Sequence, residues 1–161
     1  MAWVTRCEAA AATVEAWIAR VGTRWDGPTG TAWSETDLLG HLSAWSDFLL
    51  DQVEALLSGR AGTIPAINVD TWNAEQVERR RGRTAREAVD EWRRAALRAN
   101  EVVRGLSDEA RRRRWTVAWS VSPVTIDDLL TLWIVHIEQH RSRLADPGPQ
   151  ENRVDGLNAS S

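Results

Sequence analysis

Residues Thr125 to Leu144, TIDDLLTLWIVHIEQHRSRL, decide the fold, because their apolar side chains recur at helical spacing. The stripe consists of Ile126, Leu129, Leu130, Trp133, Ile137 and Leu144. Two of the chain's three histidines, His136 and His140, lie four residues apart and therefore stack on one side of this helix. An imidazole pair at that spacing can bind one metal ion if another element supplies further ligands.

Two earlier stripes predict a first and a second helix. The first covers residues 2–22 and carries Val4, Cys7, Ala11, Val14, Ile18 and Val21. The second has Ser34 as its N-cap, paired with Asp37, and runs to about Gly59. Its stripe is Leu38, Leu42, Trp45, Leu49, Val53 and Leu56. The lone cysteine, Cys7, lies on the first stripe, so we interpret it as a small core residue.

A third helix is predicted from Thr84 to about Leu106, with Thr84 and Glu87 as its capping box. Its buried face is Val89, Trp92, Ala96, Ala99, Val103 and Leu106. The fourth helix is the opening stretch, which begins at Thr125 with Asp128 three positions on. Four amphipathic helices of this length are typical of an all-α four-helix bundle.

The segments between the helices predict less regular structure. Residues 60–83 form a long crossover, with a loop around Pro65 and a short helix from about Asn73. We expect the run Arg79–Arg81 to face solvent. Residues 107–123 are predicted to form a structured loop. The predicted bundle spans residues 1–145, and residues 146–161, which are polar and rich in turn formers, are predicted to form a flexible tail.

Composition excludes several classes of function. The 161 residues fit one domain, and a net charge of −3 gives no reason to expect binding to nucleic acid or to an anionic membrane. No apolar run is long enough to span a membrane and no signal peptide is evident, so we expect a cytoplasmic location. All twenty basic residues are arginine, and there is no tyrosine. Ten tryptophans predict a tryptophan-rich core, with a minority lining a cavity.

The long crossover allows the second and third helices to be parallel, which makes the fourth antiparallel to the second. His41, near the start of the second helix, then lies level with His136 and His140, near the end of the fourth. Three neutral imidazoles would leave a coordination position open, as in a catalytic site. The expected ion is Zn²⁺, with Ni²⁺ as the alternative. Asp37 either orients His41 or serves only as a helix-start acid.

These pieces resemble the DinB superfamily, and within it the N-terminal domain of mycothiol-dependent maleylpyruvate isomerases. The matching segments are residues 33–42, WSETDLLGHL, and residues 136–140, HIEQH. Residues 68–75, NVDTWNAE, are similar to the crossover of DinB-like self-resistance proteins. The resemblance implies a metal-binding four-helix bundle whose ligands are His41, His136 and His140.

The resemblance also implies chemistry on reactive small molecules. We expect a metal-dependent transferase or isomerase that joins a thiol such as mycothiol to an electrophile, with Trp45 and Trp133 forming the pocket wall. The alternatives are a thiol-independent hydrolase that opens reactive rings in self-resistance, and a non-catalytic binding protein. A homodimer is compatible with the sequence, whereas a nucleic acid or a membrane is not an expected partner.

Overall fold

The computed structural model describes residues 2–25, 33–60, 66–117 and 120–145, without the side chains of residues 141–145. Within these ranges the chain forms six helices and no strand. They are α1 (Ala2–Val21), α2 (Glu35–Leu57), α3 (Val69–Arg79), α4 (Ala85–Gly105), α5 (Asp108–Arg112) and α6 (Ile126–Ala145). Trp115 and Val124 form an isolated antiparallel bridge between α5 and α6.

The four long helices form the predicted bundle. α2 packs against α4 and α6, and α1 packs against the same two helices, so each long helix lies beside two others. α3 lies on α2 within the crossover, and α5 contacts α6. The predicted all-α four-helix bundle, with a long connection between its second and third long helices, is confirmed.

Side-chain caps fix where the long helices begin. The Ser34 hydroxyl accepts a hydrogen bond from the Asp37 backbone N–H, and the Asp37 carboxylate accepts one from the Ser34 backbone N–H. Thr84 and Glu87 form the same reciprocal pair at α4. Thr125 and Asp128 form it at α6. Each pair satisfies two backbone donors that a helix start would otherwise leave without partners, and all three predicted caps are confirmed.

Most of the core residues belong to the predicted apolar stripes, and a few buried residues lie outside them. Cys7 is fully buried, as expected, and Trp17 and Trp92 are the largest of the fully buried side chains. The buried residues of the fourth stripe are Ile126, Leu129, Leu130, Trp133 and Ile137. The side chain of Leu144 lies outside the described part of the chain, as do residues 61–65 with Pro65 and the predicted tail, residues 146–161.

Two short helices differ from the prediction. α3 begins at Val69 rather than near Asn73, because Asn68 caps it by accepting a hydrogen bond from the Thr71 backbone N–H at 3.0 Å. α5 lies in the segment predicted to be a loop. It is capped by Ser107 and anchored by Arg111, whose guanidinium donates to Asp127 of α6 at 2.9 Å.

The arginine run was predicted to face solvent, and this is wrong for its middle residue. The Arg79 and Arg81 side chains are 70% and 74% exposed, but that of Arg80 is only 14% exposed. Arg80 forms an ion pair with Glu91 of α4 at 2.9 Å. Its side chain crosses α2 at Gly40, where an added Cβ would lie 2.8 Å from Arg80 Cδ. Because Gly40 has no side chain, Arg80 can pass over α2 at this point and link the end of α3 to α4 through its ion pair.

Among the described residues, no helix has both the length and the apolar character needed to cross a membrane.

Candidate metal centre

α2 and α6 bring the three histidines together at one level of the bundle. Nε2 of His136 lies 3.0 Å from Nε2 of His41 and 3.2 Å from Nε2 of His140. The three ring centroids are 4.9–5.2 Å apart. Within the described part of the chain, this is the one group of three or more histidine, cysteine or carboxylate side chains whose ligand atoms could share an ion. The predicted convergence of the three histidines is therefore found, while their binding of a metal stays a prediction.

Hydrogen bonds alone do not account for this arrangement. A neutral imidazole nitrogen carries either one proton or one lone pair, so Nε2 of His136 can complete only one well-formed bond with its two Nε2 neighbours. The other close contact is then at best a share of a bifurcated hydrogen bond, and otherwise places two lone pairs or two protons face to face. A cation removes the conflict because all three lone pairs can point at it. Donors on a tetrahedral Zn²⁺ at about 2.05 Å lie about 3.3 Å apart, close to the observed separations.

Burial keeps His136 in its ligating, neutral form. His41 is 3% exposed, and His136 and His140 are partly exposed at the edge of a cavity. Burial, with a smaller contribution from His140, lowers the pKa of His136 from 6.5 to about 4. Its imidazole is therefore neutral at pH 7 and available to a metal.

A cavity of about 460 Å³ opens beside the histidines. This volume lies within the range of small-molecule sites. Trp33 and Trp45 form its aromatic wall, with ring centroids 4.7 Å from His41 and 5.5 Å from His136, respectively. Asn73 of α3 accepts a hydrogen bond from the Trp45 indole N–H at 2.9 Å, which fixes the orientation of that ring. Trp45 thus lines this cavity, and its role in a substrate pocket stays a prediction.

Trp133 does not line this cavity, so the structure offers no support for its predicted place in the pocket wall. It is 4% exposed and donates its indole N–H to the Ser46 hydroxyl at 2.7 Å inside the core. Its ring contributes to the packing between α2 and α6 because it sits in the middle of the apolar stripe. Trp33 takes the place that the sequence assigned to Trp133. Trp72 of α3 packs behind Trp45, with the ring centroids 4.7 Å apart and the rings tilted by 57°.

Asp37 is found in the capping box, where its carboxylate accepts from both the backbone N–H and the hydroxyl of Ser34 at 2.9 Å. The helix-start role of Asp37 is therefore observed, and an orienting role toward His41 stays a prediction.

The cavity lining limits the chemistry available to the protein alone. Among the described residues that line it, no side chain is ionisable except the three histidines. If those imidazoles hold an ion, no other described side chain in the lining is left to act as a general base.

Comparison with known proteins agrees with this geometry. The family model of the DinB superfamily matches residues 7–144, a span that includes all three histidines and nearly all of the bundle. No curated protein and no solved structure matches the chain.

Proposed function

This chain belongs to the DinB superfamily, and we propose that it is a metal-dependent enzyme that acts on an electrophilic small molecule. The ligands are His41, His136 and His140. The ion is Zn²⁺, with Ni²⁺ as the alternative, because both accept imidazole nitrogen. The observation that carries the proposal is the convergence of three Nε2 atoms, two of them within 3.2 Å of the third.

The favoured activity is that of a thiol S-transferase or isomerase, with mycothiol or a similar thiol as cosubstrate. A bound ion would supply the acidity that converts the thiol to its nucleophilic thiolate at neutral pH. The protein's own residues would bind and align the two reactants. Trp33 and Trp45 pack against His41 and His136 on one side, and the cavity has room for an electrophile beside them.

A thiol-independent hydrolase or ring-opening enzyme is the second candidate. Its support is the lining of the cavity, which offers a hydrophilic thiol few polar partners besides Asn73 and Gln139. In that case the ion would make water acidic enough to supply hydroxide near pH 7. A non-catalytic protein that only binds its ligand would show neither activity.

Metal analysis of the purified protein tests the ligand set. We expect about one Zn²⁺ or Ni²⁺ per chain in the wild type and a loss of at least tenfold in metal affinity in His41→Ala, His136→Ala and His140→Ala. Gln139→Ala is the control. Gln139 lies between the two α6 histidines but is not a proposed ligand, so this substitution should leave metal content unchanged. Unaltered metal content in the three histidine variants would remove the proposal.

Turnover with a panel of electrophiles distinguishes the activities. If the protein is an S-transferase, adducts should form only when metal and mycothiol are both present. If it is a hydrolase, product should still form after all thiol has been removed. Ligand binding, detected by tryptophan quenching, without any product would identify a binding protein instead.

A further inference from the structure

The cavity beside the histidines continues along the bundle. A second cavity of about 220 Å³ shares four lining residues with it. The shared residues are Trp45, Leu49, Val69 and Leu132. The two cavities therefore form one groove between α2 and α6, partly covered by α3. We call it the α2–α6 groove.

The far part of the α2–α6 groove is almost entirely apolar. Phe48, Ile67 and Leu129 line it together with the shared residues. At its mouth, Val69 and Leu132 are 49% and 48% exposed, which is high for side chains of this kind. An exposed apolar rim continuous with an apolar cavity favours a ligand with an apolar body.

One polar group interrupts this apolar lining. Gln52 of α2 is 6% exposed, and its carboxamide oxygen Oε1 has no hydrogen-bond partner among the described residues. Gln52 lines the far cavity. A buried acceptor without a partner is costly, so its presence in an apolar wall points to a ligand that donates to it.

Helix geometry gives the distance between the two ends of the groove. His41, Trp45, Leu49 and Gln52 follow one another at intervals of four, four and three residues, so they lie on one face of α2. His41 and Gln52 are eleven positions apart, which corresponds to roughly 16 Å along the helix axis at 1.5 Å per residue. A ligand that reaches both must be extended.

We propose that Gln52 is a specificity-determining residue and that the substrate is an elongated, largely apolar molecule. Its reactive group lies at the histidines, its aromatic or alkyl body lies along Trp45 and Leu49, and a hydroxyl or N–H at its far end donates to Gln52 Oε1. The placement of the reactive end rests on the proposed metal site. The role of Gln52 rests on the far cavity alone. A site that buries a hydrogen-bonding group rejects ligands that leave it unpaired.

Binding of straight-chain hydroxamic acids to the metal-loaded protein tests this proposal. The probes form a series of increasing length, each made with a terminal methyl or a terminal hydroxyl, and quenching of tryptophan fluorescence reports their dissociation constants. We expect the ratio of hydroxyl-ended to methyl-ended affinity to fall roughly tenfold from wild type to Gln52→Leu. The change should occur only for chains long enough to reach position 52.

Three further variants and a second probe series serve as controls. Gln52→Met matches the length of the side chain and should repeat the loss, whereas Gln52→Glu keeps an acceptor and should retain the preference. Gln139→Leu, at the metal end of the groove, should also retain it. N-methyl amides of the same chains lack the chelating head. If they bind as tightly as the hydroxamates, the proposed metal site is contradicted. The comparison of hydroxyl-ended with methyl-ended probes in the Gln52 variants can still be interpreted.

An unchanged ratio in Gln52→Leu and Gln52→Met at every chain length would overturn the assignment of Gln52. Affinity that does not increase with chain length would overturn the elongated apolar substrate.

Discussion

At the scale of single residues, the thiol of Cys7 titrates in a pH range that no other side chain of this protein shares. It is fully buried in α1, and burial raises the pKa of its thiol from 9.0 to about 11. The sequence contains no lysine and no tyrosine. Arginine titrates above pH 12 and the α-amino group near pH 8, so no other side chain titrates between pH 9 and 11.

The stability of the protein should therefore fall across this interval because of one group. A pKa raised by folding means that the native state disfavours the thiolate. The stabilising contribution is thus complete below pH 9 and is lost as pH rises through 11. We expect a decrease of about 2–3 kcal/mol in the free energy of unfolding, measured by urea denaturation at a series of pH values. In Cys7→Ala the curve should be flat over the same range, and an equal decrease there would contradict the assignment.

Single-residue reasoning from the sequence predicted the convergence of the histidines, but it did not predict where one tryptophan lies. His136 and His140 were predictable because helix geometry alone places them on one side, and His41 was the remaining imidazole. Trp133 lies three residues before His136, but it is at the centre of the apolar stripe and turns to Ser46 in the core. The orientation of a ring packed between two helices depends on the side chains of both helices. The sequence of one helix is therefore not enough to predict it.

At the scale of elements, Gly40 determines how α3 is attached. The Arg80 side chain passes over it to reach Glu91, and both charged side chains are largely buried. In Gly40→Ala the new methyl group would displace Arg80 or break this ion pair, at a cost of about 1–3 kcal/mol. The gain in helix propensity offsets at most about 1 kcal/mol of it. We expect a net loss of stability, measured by thermal or urea unfolding.

Gly105→Ala is the matched comparison. Gly105 is the last residue of α4, and an added Cβ there meets no atom within 4 Å. This substitution should leave stability unchanged or raise it by up to about 1 kcal/mol. If both variants behaved alike, the close approach of Arg80 to α2 would not be the cause.

Element boundaries were predictable where a capping pair was present in the sequence. Ser34 with Asp37 and Thr84 with Glu87 fixed the starts of α2 and α4 within a residue of their observed positions. The helix α5 was missed because its five residues are too few for a periodic pattern, and its position depends on the ion pair between Arg111 and Asp127. Asn68 was a usable N-cap signal for α3, but the predicted start near Asn73 did not take it into account.

At the scale of the whole molecule, the proposed ion would join two helices that are far apart in sequence. A ligand that binds only the native state stabilises it in proportion to its concentration. With free Zn²⁺ at about 100 times its dissociation constant, we expect a gain of about 2.7 kcal/mol. For a chain of this size that corresponds to a rise of about 5–10 °C in the melting temperature, measured by calorimetry.

Chelation should reverse this rise in the wild type and have no effect on His136→Ala. Mg²⁺, which prefers oxygen ligands, should not replace Zn²⁺. A wild-type melting temperature that does not respond to chelation or to added Zn²⁺ would exclude a metal that binds through the three histidines.

His41 and His136 are 95 positions apart in the chain. A folding molecule must therefore close a very long loop before an ion can bind both of them, and contacts of that kind generally form late. An interaction that is absent from the folding transition state changes the unfolding rate and leaves the folding rate nearly unchanged. Zn²⁺ should consequently lengthen the lifetime of the native protein against unfolding and leave the refolding rate nearly unchanged.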